Sequence, residues 1–202
     1  MDSLDKLFQA RYSEITELVD RLSEDENSPL STNPTITTLK ATLFLLYYNL
    51  IESIVYTVFG TIFDEIYTNC QDFSLLSPNI QRQYQKYNKE SNVPDAELLQ
   101  LSLKQYSGRV TLFSENLDAR SIRKLFHDWG IVSDFHTIGE EKLLDIKSYR
   151  NALAHGERAF KEVGRNYTMQ DMKEYNQVLY TYLSGLLLNV RHFLDNKQYL
   201  AT

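Results

Sequence analysis

Within the run Arg150-Asn151-Ala152-Leu153-Ala154-His155-Gly156, a guanidinium, a carboxamide and an imidazole fall inside six consecutive residues. Arginine is a permanent cation that can hold a phosphate through two parallel hydrogen bonds. Histidine is the side chain whose ordinary titration range lets it give and take protons near neutrality. Together they suit chemistry on a phosphodiester that needs no metal. The same residues also make an ordinary helix terminus, with a basic last turn followed by glycine. Spacing alone leaves both readings open.

The elements that would carry this run are helical by pattern. Leu4, Leu7, Phe8, Ile15, Leu18, Val19 and Leu22 recur near every 3.6 residues, which predicts an amphipathic helix over 3–23. A polar linker to about Thr35 precedes a long helix from about Ile36 to Tyr67, apolar on several sides and therefore expected at the centre. Ser77-Pro78 starts a helix to about Lys89, and Pro94-Asp95 another that ends before Tyr106. Asp118 caps a helix through Trp129, closed by Gly130. The motif helix opens at Gly139 or Glu140 and ends near His155. The last one starts at Thr168, where Asp171 three residues on makes a capping-box variant. The expectation is an all-α bundle of four or five main helices, with a smaller helical insert at about 71–117.

Composition bounds the rest. A chain of 202 residues is expected to form a single domain, and its 43% hydrophobic content can bury a substantial core. Few Gly and Pro disfavour a turn-rich all-β fold. The single Cys70 implies no oxidising compartment. No signal pattern is visible, and the longest apolar stretch, Leu43–Ile51, is short for a membrane span of ~20 residues. A cytoplasmic protein with no membrane partner is expected. A net charge of −6 argues against a generic nucleic-acid coat protein. The charge is uneven, however. Residues 1–117 hold nine Lys and Arg against sixteen Asp and Glu, whereas 118–202 hold twelve against eleven. Lys147, Arg150, Arg158, Lys161 and Arg165 outnumber Glu157 and Glu162 around the motif, enough to focus one phosphate backbone in a cleft.

Arg150 and His155 fit an R-x4-6-H signature, and Asn151 is a frequent companion of that arginine. Residues 45–53 (LLYYNLIES), 116–123 (NLDARSIR) and 160–168 (FKEVGRNYT) extend the similarity over about residues 40–185. The chain thereby resembles the HEPN superfamily, all-α proteins that include many prokaryotic RNases, and within it the MAE-type families of toxin and defence loci. That resemblance implies metal-independent RNA cleavage by 2′-hydroxyl attack, with Arg150 and His155 catalytic. It implies a homodimer pooling two motifs, and an antitoxin or defence partner protein. Asn151, Lys147, Arg158 and Glu52 are the candidate substrate-binding or motif-orienting residues.

Helix geometry adds a constraint. Residues five apart lie about 140° apart around a helix, so Arg150 and His155 converge only if the helix ends or bends between them, or if two copies meet. Glu52 lies within an otherwise apolar helix and is costly there unless paired. A structural ion pair, with Arg150 or another base, is the first reading of it and a site role the second. His127, His136 and His192 read as incidental. No metal-ligand spacing is visible and Asp64-Glu65 reads as a solvated edge, so no cofactor or metal is expected. The alternative class is a non-catalytic HEPN-like module that binds a nucleotide, RNA or partner; a third is a purely structural bundle in a larger defence complex.

Overall fold

The computed structural model describes residues 2–26, 34–89, 93–113, 116–132 and 139–201. Their regular structure is helical, as expected: α1 (Asp2–Glu26), α2 (Pro34–Asn69), α3 (Pro78–Asn88), α4 (Asp95–Leu98), α5 (Leu103–Ser107), α6 (Ala119–Asp128), α7 (Glu140–Ala154), α8 (Phe160–Arg165) and α9 (Met169–Asp195). A 3-10 turn at Phe73–Leu75 and one antiparallel bridge, Leu76 to Leu200, complete it. Caps explain several boundaries. The Asp118 carboxylate accepts from the Ser121 N–H while the Asp118 N–H donates to the Ser121 hydroxyl, both at 2.8 Å. Thr168 and Asp171 exchange the same pair of bonds at the start of α9.

Two expectations need correction. The helix from Pro94 to Tyr106 is two short helices, because the chain turns at Leu99–Leu101 and Ser102 begins α5 with its own capping box. The short α8, at the basic segment after the motif, was not expected as a helix; six residues are too few for a periodic pattern.

The chain divides into two compact units, and the division falls inside α2 and α9. The first unit takes residues 2–54 and 137–184, hence α1, the start of α2, α7, α8 and the start of α9. Glu26 ties three of its elements together, accepting from Lys40 at 2.9 Å and from the Met169 N–H at 3.1 Å. The buried Tyr47 hydroxyl donates to the Met172 carbonyl at 3.0 Å. Asn176 on α9 donates to Thr16 on α1 at 3.0 Å, and Arg11 donates to Ser53. Helix α8 sits directly on the backbone of α2: a Cβ on Gly164 would overlap the carbonyl oxygen of Thr37.

The second unit takes residues 55–136 and 185–202. Its centre is a set of rings, Phe59, Phe63, Tyr84, Tyr106, Phe126 and Trp129, with Trp129 within 5.1 to 6.4 Å of Phe59, Phe63, Tyr84 and Tyr106. Residues 71–117, expected as an insert, contribute buried Phe73, Leu76, Ile80, Tyr84 and Tyr106 to this unit. The C-terminal tail is fastened there: Ser77 N–H donates to the Tyr199 carbonyl and Ala201 N–H to that of Leu75, both at 2.8 Å. The Tyr199 hydroxyl donates to Glu65 at 3.1 Å, so Glu65 is a structural acceptor rather than a solvated edge.

Helix α2 is longer and more apolar than expected, with a window of mean hydropathy 1.4, long and apolar enough by composition to cross a bilayer. In this fold Phe44, Tyr47, Tyr48, Ile51, Ile54, Val58 and Phe59 along it are buried.

Two predictions follow from this packing. Gly164→Ala forces two backbones apart and costs ~1–3 kcal/mol, whereas at Gly60 the nearest atom to an added Cβ is 3.9 Å away, so Gly60→Ala gains ~0.5–1 kcal/mol from helix propensity. Urea midpoints of the two variants should move in opposite directions. Stability should also fall above pH 10. Burial raises Tyr47, Tyr84 and Tyr106 above their ordinary value of 10.0. Burial, then the Glu65 carboxylate, pushes Tyr199 up to about 12. The unfolded chain therefore loses these protons first, and each group removes up to ~1.4 kcal/mol per pH unit between its unfolded and folded values. A urea midpoint unchanged from pH 9 to 11 would refute this.

Candidate functional site

All six residues singled out from sequence lie in the first unit. On α7, Leu143, Ile146 and Leu153 are buried. Position 150 falls four after Ile146 and three before Leu153, on the same stripe of the helix. Arg150 thus occupies a core-facing position and is half-buried. Its guanidinium carbon lies 4.4 Å from the ring centroid of Tyr48, a fully buried residue of α2. Its Nη1 donates to Asn151 Oδ1 at 3.0 Å. Among the described residues Arg150 has no carboxylate partner within ion-pair distance. A guanidinium is weakly hydrated and accepts an aromatic face, so the ring supplies what a counter-ion would otherwise supply, and most of its donors are left for another acceptor.

The expected pairing of Glu52 with Arg150 does not form. Glu52 is half-buried rather than buried, so it retains solvent and needs no internal counter-ion. Nor does the helix bend between the two motif residues. α7 is continuous through Ala154, and His155 is still helical in backbone at the C-cap, with φ −89° and ψ 0°. Its N–H donates to the Asn151 carbonyl at 2.9 Å. The Glu157 N–H then reaches back to the Ala152 carbonyl at 2.8 Å and the Gly156 N–H to Leu153 at 3.3 Å, a Schellman closure. Gly156 takes φ +70°, the left-handed conformation that closure requires. The outcome is an exposed imidazole beyond the last turn and a half-buried guanidinium one turn earlier. Among the described residues no hydrogen bond joins the two side chains.

Other cations surround this helix end. Lys147 is half-buried, while Arg158, Lys161 and Arg165 are exposed on the following loop and α8. The Arg158 guanidinium lies 5.7 Å from the centroid of Tyr149. Tyr149 belongs to a group of aromatic rings centred on Phe44. Phe44 stands 4.8 Å from Tyr149, 5.1 Å from Tyr167 and 5.3 Å from Tyr175. The Tyr175 hydroxyl donates to Asp145 at 2.8 Å. Burial, and then that bond to the carboxylate, raises Tyr175 far above its ordinary range, so it remains a neutral donor. These contacts fix the motif helix, the loop after α8 and α9 against Phe44. The available signal was Tyr149 beside Arg150; the pairing of Tyr48 with Arg150 had none.

His127 and His192 lie in the second unit; His127 stands 3.9 Å from Asp128, and His192 contacts Asn196. His136 lies outside the described residues. Among the described residues no group of three or more His, Cys, Asp or Glu is arranged to hold a metal ion.

Compared with known protein families, the chain matches the model described as HEPN_MAE_28990:/-like HEPN over residues 2–199. No curated protein and no solved structure matches it.

The unequal burial of the two motif residues is testable without any activity. Arg150→Ala removes a side chain from the α7 stripe and uncovers Tyr48, and should cost ~1–2 kcal/mol. His155→Ala, at an exposed C-cap, should stay within ~0.5 kcal/mol. Equal chemical-denaturation midpoints for the two variants would contradict the packing of Arg150.

Proposed function

Because the chain belongs to this HEPN family, we propose that it is a metal-independent endoribonuclease, acting in the cytoplasm as a toxin or phage-defence effector held in check by a partner protein. Membership by itself suggests a nuclease-like or RNA-binding module. The observation that carries the finer reading is the pair at the end of α7. Among the described residues Arg150 has no carboxylate partner and keeps donors for an anion, and His155 is presented to solvent one turn later. In the reaction a ribose 2′-oxygen bonds to the adjacent phosphorus while the bond from phosphorus to the 5′-oxygen breaks. An imidazole takes the 2′-hydroxyl proton or gives one to the leaving oxygen. Arg150 stabilises the charge on the five-coordinate phosphorus. Asn151 orients Arg150, and Lys147 and Arg158 bind neighbouring phosphates. Glu52, half-buried and without an ion pair among the described residues, is at most an outer residue of the site.

Because residues five apart lie about 140° apart around a helix, the active unit in this reading is a homodimer in which the His155 of one chain and the Arg150 of another meet at one phosphate. The same separation favours a second reading, a non-catalytic module in which Arg150 binds the phosphate of RNA or a nucleotide and no proton is moved.

Expression of the wild type should arrest growth and fragment cellular RNA, and His155→Ala should do neither. With purified protein, cleavage should persist in excess chelator, leave 2′,3′-cyclic phosphate ends, spare DNA, and fall per chain on dilution. Full activity of His155→Ala, or 3′-hydroxyl products with a strict magnesium requirement, would overturn the mechanism. Constant specific activity of a monomer on dilution would overturn the dimer. RNA binding without turnover by the wild type would select the second reading.

A further inference from the structure

We propose that Tyr48 is the positioning residue for Arg150: the negative face of its ring, with Asn151 Oδ1, fixes the plane of the guanidinium that would meet the phosphate. The proposal deepens the ribonuclease reading and rests on it for its kinetic consequence only.

Three observations meet here. Arg150 lies on the core stripe of α7, so its side chain has to leave that stripe to reach a substrate, and its direction is set by what it packs against. What it packs against is a ring, at 4.4 Å from the guanidinium carbon to the centroid. Tyr48 is itself fully buried on the most apolar helix of the chain, so the platform is rigid. The attraction between a cation and a ring quadrupole grows where water is excluded. A cation held over a ring face keeps its N–H donors for other acceptors. One of those donors is taken by Asn151 at 3.0 Å, which gives the guanidinium a second fixed point. The remaining donors are thereby pre-aimed, and a bidentate grip on a phosphate loses less freedom on binding.

The test keeps the ring's shape and changes its charge distribution. Tyr48→Phe retains the face and should retain cleavage within about threefold, since the cation interacts with the ring and not the hydroxyl. Replacing that phenylalanine by di- and tetrafluorinated phenylalanine empties the face stepwise. It should lower kcat progressively, by roughly ten- to hundredfold at the tetrafluorinated residue, with KM for a short single-stranded RNA changed much less. In parallel, 15N relaxation at Arg150 Nε reports the order of the guanidinium. It should be rigid in the wild type and in Tyr48→Phe, and mobile in the tetrafluorinated protein. Fluorination that lowers the melting temperature but leaves kcat and Nε order untouched would make Tyr48 a packing residue only and overturn the proposal. If the wild type cleaves no RNA, Nε order alone decides: loss on fluorination upholds Tyr48 as platform while the ribonuclease reading fails, and retained order sinks it.

Discussion

A guanidinium on an apolar stripe is the constraint around which the first unit is organised. Position 150 follows Leu143 and Ile146 and precedes Leu153 at core spacing, and a charge there would be costly if left without a partner. Among the described residues the chain answers with an aromatic face instead of a carboxylate. Tyr48 covers one side of the cation, and Asn151 takes one of its donors. A carboxylate would have neutralised the arginine and competed with any incoming anion. A ring stabilises the charge without cancelling it, so the group remains available. The half-burial that makes Arg150 a structural side chain is thus also what keeps it poised.

The remainder of the unit holds that stripe in place. Phe44, one turn before Tyr48 on α2, touches rings from α7, from the loop after α8 and from α9. Gly164 lets α8 approach the Thr37 carbonyl more closely than any other residue could, and this short helix carries Lys161 and Arg165. Beyond the last turn of α7 the geometry relaxes. The Schellman closure at Gly156 directs the chain away and leaves His155 exposed. A histidine held by little besides its own backbone can adapt to a substrate or a second chain, whereas the arginine cannot. The two motif residues therefore differ in kind, one packed against a ring and the other open to solvent.

Periodicity, caps and spacing by themselves determined the all-α architecture, the presence of α1, α2, α6, α7 and α9 to within a few residues at their ends, and the place of the motif at the end of α7. These follow from interactions within a few residues of one another: the 3.6-residue repeat of apolar side chains, the Asp118 and Thr168 capping boxes, and the glycine after His155. The position of Arg150 on the core stripe was also legible, since it depends only on the spacing 143, 146, 150 and 153. Tertiary structure alone decided what Arg150 meets there. Tyr48 lies about a hundred residues earlier in the chain, and nothing local distinguishes it from Tyr47, which donates its hydroxyl to Met172 instead. It alone left Glu52 without Arg150 as a partner, broke the 94–106 segment into two helices, and chose the core to which residues 71–117 contribute their buried side chains. Each of these outcomes depends on which distant surfaces approach, and a one-dimensional pattern of side chains encodes burial without specifying the partner.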